Sequence, residues 1–332
     1  MVAWLGAVQA QEFGLAKWGL GLRTNGLTQA AIDREFDEGR ILRTHILRPT
    51  WHFVAPADIR WMLLVSGPRV HAANAQYYRK TGADPSSVGR ARKVLERALA
   101  DGKALTRTEL AERFGRAGIM ASGMMLAYLV MHAELEGVIC SGPRRGKQST
   151  YMLLDERVAP AKTMTRAEAL SELARRYFTS HGPATMQDFA WWSGMTLRDT
   201  KVALESIASS IVRETFDGET YWMAPSAIPA PRQAGSVDLL PLYDEYLISY
   251  KDRRAMVEPL KPGEKRADDD YANFLMIDGK LAGRWRRVET KSSIEVAVTS
   301  YRKLTASHKR GLAATLKRLA EFTNRRVELR TP

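Results

Sequence analysis

Two segments near the start of the chain carry residue types that could do chemistry. Gln9-Ala10-Gln11 places two amides close together in a stretch that is otherwise apolar. An amide does not titrate usefully, so this pair can hydrogen-bond but cannot serve as a general acid or base. Glutamines are also common on solvent-facing surfaces, and the pair taken alone leaves that plainer reading open. The second segment is Arg43-Thr44-His45-Ile46-Leu47-Arg48-Pro49-Thr50-Trp51-His52-Phe53-Val54. Its Arg, His and Trp content suits a basic hairpin resting on phosphate, which implies nucleic acid. His45 and His52 flank this hairpin with no third ligand in view, so no metal is expected. Standard catalytic signatures are missing. There is no phosphate loop closing on Lys-Ser/Thr, no His-Glu-x-x-His and no recognisable Ser-His-Asp context.

The elements that must position these residues repeat. Three segments run from a helix end into a β-hairpin that closes on Thr and an aromatic residue. They are Glu38-Gly39-Arg40-Ile41 to Thr50-Trp51, Glu136-Gly137-Val138-Ile139 to Thr150-Tyr151, and Ile211-Val212 to Thr220-Tyr221. A helix followed by a two-stranded ribbon is the last half of a winged helix. The irregular spacing predicts a tandem of domains and not a solenoid. The middle copy reads most clearly. Arg90–Leu99 forms a helix, and Thr106 caps a second with the Thr-x-x-Glu spacing of a capping box. A third helix runs from Ser122 to Glu136, and a hairpin turns around Pro143-Arg144-Arg145-Gly146-Lys147. In the next copy Thr165 and Thr185 cap helices, Leu197–Ala208 is helical, and the hairpin turns at Asp217-Gly218.

The first copy is shorter. Val2–Trp18 has a helical pattern and Thr28 caps Gln29–Glu38, but a leading helix is missing. A Pro-rich linker over Pro225–Pro231 precedes a separate piece. There Val237–Tyr250, Asn273–Arg287 and Ile294–Thr299 are strand-like, His308–Phe322 is an amphipathic helix, and Asp268-Asp269-Asp270 is a solvated loop. The expected fold is mainly α with β-hairpins (α+β). It comprises winged helices at 1–85, 86–160 and 161–228, and a β-rich α+β portion at 236–332.

Composition bounds the function. The 332 residues suffice for several cores, and 45% hydrophobic with 26% charged residues is ordinary for a globular protein. A formal charge of +13 favours polyanions through counterion release. The single cysteine, Cys140, excludes internal disulfides and a Cys-rich zinc site, and reads as a small buried hydrophobe. The N-terminus lacks a signal-peptide layout, and the apolar stretch Met124–Val130 is too short to span a bilayer. A cytoplasmic, nucleoid-associated monomer with no membrane partner is expected.

Together these segments resemble a known family. Val8-Gln9-Ala10-Gln11, Leu20-Gly21-Leu22-Arg23-Thr24 and Arg43-Thr44-His45 with Leu47 through Val54 are similar to bacterial DNA glycosylases typified by AlkZ and YcaQ. So are Leu240-Pro241-Leu242-Tyr243-Asp244-Glu245-Tyr246-Leu247 with Tyr250-Lys251-Asp252-Arg253. Ile277-Asp278-Gly279 followed by Gly283-Arg284-Trp285-Arg286-Arg287 matches too. The resemblance covers nearly the whole chain, and Gln11 places it nearer the Gln-x-Gln branch. It implies three tandem winged helices and excision of N-alkylated purines from double-stranded DNA, including the unhooking of interstrand crosslinks in base excision repair. It implies Gln9 and Gln11 as catalytic, with Gln11 holding the attacking water. No cofactor is implied. Contacts to DNA are expected from Arg43, His45, Arg48, Thr50, Trp51 and His52, from Arg144, Arg145 and Lys147, and from Tyr250, Lys251 and Arg253. Residue patterns without the resemblance fit a non-enzymatic winged-helix regulator or a scaffold equally well.

Overall fold

The computed structural model describes residues 1–161, 163–226, 234–257 and 272–330. The chain divides into two compact units. The larger comprises Val2–Gln9 and Asp33–Ala227; the smaller comprises Met1, Ala10–Ile32 and Ile228–Pro332. The Asp268–Asp270 run and most of the Pro-rich linker lie outside the described residues.

The chain begins α1 (Val2–Leu5), β1 (Ala7–Gln9), α2 (Phe13–Gly21), α3 (Gln29–Asp37), β2 (Leu42–Ile46), β3 (Thr50–Val54) and α4 (Ile59–Thr81). The helical pattern expected over Val2–Trp18 is broken in the middle. Gly6, at φ +81°, ends α1 after one turn. Ala7–Gln9 then pairs with β3 and completes a sheet of order β1-β3-β2. Backbone groups beside an open strand edge gain more from ladder bonds than from continuing a glycine-interrupted helix. The long α4 gave no amphipathic signal, because Trp61, Met62, Leu63, Val65 and Ser66 are all buried along one stretch. A helix packed on several sides carries no polar stripe to read.

Next come α5 (Pro85–Leu99), β4 (Leu105–Thr106), α6 (Arg107–Arg116), α7 (Gly123–Leu135), β5 (Ile139–Ser141), β6 (Thr150–Leu153) and the short α8 (Leu154–Arg157). The Thr106–Glu109 capping box forms in both directions and starts α6. Leu95, Leu99, Leu110, Phe114, Leu129 and Ile139 make the core between these helices and the hairpin. Cys140 is buried on β5, and burial pushes its thiol up to about 12, so it packs as a hydrophobe.

The third stretch is α9 (Arg166–Ser180), α10 (Met186–Ser193), α11 (Leu197–Ser206), β7 (Val212–Phe216) and β8 (Glu219–Met223). Capping boxes at Thr165–Glu168 and Thr185–Asp188 start α9 and α10. Asp217 and Gly218 both take positive φ, as a two-residue hairpin turn requires. Tyr177, Phe178, Phe189 and Trp192 form its aromatic core. Arg176 makes a two-pronged ion pair with buried Asp58, tying α9 to the start of α4.

In the smaller unit, β9 (Val237–Leu240), α12 (Glu245–Ile248), β10 (Asn273–Ile277), β11 (Lys280–Glu289), β12 (Ser293–Ser300), α13 (Ala306–Thr323) and β13 (Arg326–Leu329) follow. The sheet order is β13-β12-β11-β10-β9, antiparallel except for β12 with β13. The strand expected over Val237–Tyr250 stops at Leu240, because Asp244 caps α12 by accepting from the Tyr246 N–H. Asp244 also takes both nitrogens of Arg23, at 2.9 and 2.6 Å, and Trp18 donates to the Leu239 carbonyl at 2.8 Å. Two segments that carry the family resemblance, Leu20–Thr24 and Leu240–Leu247, thus hold each other. No helix among the described residues is long and apolar enough to cross a membrane.

Candidate active site

Strand parity sorts the first hairpin into two faces. Gln9 lies opposite His52 on one side of β3, and Thr44 lies opposite His52 on the other. Directly opposed residues share a face, as do alternate residues of one strand. Gln9, Thr44, Thr50 and His52 therefore line one face, and Arg43, His45 and Trp51 line the other. On the second face Trp51 meets two partners. Its ring lies 4.3 Å from the Arg43 guanidinium carbon and 4.4 Å from the His45 ring.

The face carrying Gln9 is polar yet closed to solvent: Gln9 is 7% exposed and His52 1%. The Gln9 amide oxygen accepts from Arg48 Nη2 at 3.3 Å. His52 Nδ1 donates to the Thr50 carbonyl at 2.9 Å, a partner that can only accept, which fixes the tautomer. Among the described residues, Thr44 Oγ1 and Thr50 Oγ1 are buried without a hydrogen-bond partner. Burying a hydroxyl unpaired is costly, so orphaned hydroxyls mark a place where water or a ligand belongs.

The hairpin is fixed from outside. His45 Nδ1 donates to Glu134 Oε2 of α7 at 2.6 Å, with both side chains buried. Ser141 of β5 accepts from the Arg43 N–H at 2.8 Å. At the tip, Leu47 takes φ +61° and its carbonyl rests on Gly194, the left-handed cap of α10. A Cβ at Gly194 would lie 2.7 Å from that oxygen, so only glycine fits. The Arg48 guanidinium also stands 5.6 Å from the Trp191 ring centre. Sequence reasoning missed Glu134, Ser141, Trp191 and Gly194, whose roles come from segments remote along the chain, and gave no separate role to Thr44 within the quoted hairpin.

The remaining expected residues are spread out. Gln11 is partly buried and belongs to the smaller unit. On the second hairpin, Arg145 forks onto Glu109 at 2.9 and 2.8 Å and, with the Thr106 bonds, holds that carboxyl down to about 2. Arg144 donates from its backbone to Asp37 and from its side chain to the Lys147 carbonyl, while Lys147 is exposed. In the smaller unit, Tyr250 packs on Leu240, Leu247, Met256 and Met276, Arg253 donates to the Tyr250 carbonyl at 3.4 Å, and Lys251 is exposed.

Comparison with known proteins places this architecture. The curated interstrand DNA cross-link repair glycosylase of Streptomyces sahachiroi is 23% identical over 318 residues, which is 91% of this chain and 84% of that protein. The solved structure of Streptomyces sahachiroi DNA glycosylase AlkZ superposes with a TM-score of 0.77 at 22% identity, over 99% of this chain and 92% of that one. The family model described as DNA glycosylase AlkZ-like matches residues 2–322, and the chain belongs to that family.

Proposed function

We propose that this DNA glycosylase is monofunctional and hydrolyses the N-glycosidic bond of cationic N-alkylated purines, unhooking interstrand crosslinks between them. The carrying observation is the closed polar face of the first hairpin, where Gln9 is held by Arg48 beside two orphaned hydroxyls. The Streptomyces relative is described as an interstrand cross-link repair enzyme, which supports the crosslink.

The chemistry suits amides. Ordinary glycoside hydrolysis needs a carboxylic acid to protonate a poor leaving group. A purine alkylated at N3 or N7 is already cationic and leaves without that proton. What remains is to set a water against the sugar C1′ and to stabilise positive charge on the sugar. A glutamine can hold water through its carbonyl oxygen and orient it through its NH₂. Gln11 takes the water, and Gln9, braced by Arg48, orients water or sugar-phosphate. Backbone phosphates near the site add negative potential that favours a cationic transition state. The helix-and-wing stretches 1–85, 86–160 and 161–228 grip duplex DNA, with 236–332 as a further portion. Arg48, Thr50 and His52, which gather at the Gln9 face, serve the lesion, Arg43, His45 and Trp51 on the opposite face serve the flanking duplex, and the basic groups of the second hairpin and of Tyr250–Arg253 serve the backbone.

The test is incubation with 7-methylguanine DNA followed by abasic-site cleavage. Wild-type protein is expected to release the base, and Gln11→Ala to lose about 100-fold or more in rate with duplex binding retained. Binding without release by the wild type would leave a regulator or scaffold. Near-normal rates in Gln11→Ala would remove the water from that residue.

A further inference from the structure

Outside the candidate active site, a second cluster of chemistry-bearing side chains sits where α4 packs on α7. His71 comes from α4, His132 from α7, and Glu136 follows α7 one turn after His132. One ligand atom from each lies within 4.8 Å of the other two. We propose that His71, His132 and Glu136 bind a divalent transition-metal ion of the zinc class, which clips α4 to α7.

Three features carry this. The first is convergence. His71 Nε2 is 2.9 Å from Glu136 Oε1, yet that buried nitrogen has no hydrogen-bond partner of acceptable direction. A simple histidine–carboxylate bond would put the N–H along the line to the oxygen. Two groups this close but not aimed at each other are placed as co-ligands of a common point. The second is the outer partner. His71 Nδ1 lies 2.9 Å from the Tyr78 hydroxyl oxygen, so that in the tautomer whose Nδ1–H donates to it the ring is held and Nε2 keeps its lone pair for the metal. The third is access. Glu136 and His132 line a 630 Å³ cleft, and Glu136 and His71 line another of 580 Å³. Two imidazoles and a carboxylate are a zinc donor set that leaves a fourth position for water. Tetrahedral ligand atoms stand about 3.3 Å apart, so closing a spread of up to 4.8 Å needs up to about 1.5 Å of movement, which half-exposed Glu136 can share.

The test titrates Zn²⁺ and Co²⁺ into the chelator-stripped full chain. One equivalent should bind, with tetrahedral Co²⁺ absorption and a rise in unfolding temperature. His132→Ala should lower affinity at least about 100-fold, since even outer partners of a metal ligand cost 10–100-fold. His308→Ala should leave it unchanged. If His132→Ala does not fold, Glu136→Gln serves, because its side chain is half exposed. Glu136→Gln should also keep base release, separating this site from the proposed chemistry. No stoichiometric binding, or unchanged affinity in the folded cluster variants, overturns the proposal.

Discussion

The first and third hairpins end alike, on Thr50-Trp51 and Thr220-Tyr221, yet they live in opposite environments. Four of the five residues of β2 and three of the five in β3 are buried. In β7 four of five are exposed, and Phe216 at the tip is 75% exposed. Both are two-stranded at heart, and each inner strand receives a short partner on its other side. That partner is β1 for the first hairpin and a bridge from Ala184 to Trp222 for the third. What differs is the neighbours. The first hairpin is held by Glu134, Ser141 and Gly194, while the outer strand of the third faces solvent. The same local motif therefore supplies a rigid scaffold for polar groups in one place and an open ribbon in the other.

This contrast can be broken by mutation. Glu134→Ala strips buried His45 of its acceptor and should lower the free energy of unfolding by about 3 kcal/mol in a urea titration. A change within 0.5 kcal/mol would mean that the pair does not hold the first hairpin. Gly194→Ala combines a strained positive φ with a Cβ pressed on the Leu47 carbonyl. The expected cost is about 2 kcal/mol, and an unaltered melting curve would show that the tip is not docked there. Arg48→Met keeps length but removes the bond to Gln9. Base release should fall about tenfold, equivalent to roughly 1.4 kcal/mol, while duplex affinity changes less. An equal loss of binding and rate would instead make Arg48 a phosphate contact. Phe216→Ser on the open ribbon should shift stability by less than about 0.5 kcal/mol. If it destabilised the protein as much as Gly194→Ala, the two hairpins would not differ as described.

Much of the local structure was legible beforehand. Thr106, Thr165 and Thr185 cap their helices through side-chain bonds to backbone three residues on, and Asp217-Gly218 turns its hairpin. Such signals are written in contiguous residues, because caps and turns are satisfied within a few positions. Ala7–Gln9 was misread for the opposite reason. A three-residue strand has no period of its own and forms only because β3, far along the chain, offers a free edge. The burial of the first half of α4 on several sides hid it in the same way.

The sequence by itself determined the starts of α6, α9 and α10, the three hairpins and the motifs that carry the family resemblance, whereas α5 begins at Pro85, five residues before the expected Arg90. Their meaning as a site came from tertiary structure alone. Gln9 meets Arg48 because a strand and a hairpin tip converge. Arg23 meets Asp244 across 221 positions. His71 meets His132 through the packing of two helices. Side-chain pairing across distant segments costs no local propensity and leaves no local pattern. It is settled by which buried polar groups find partners once the core has closed.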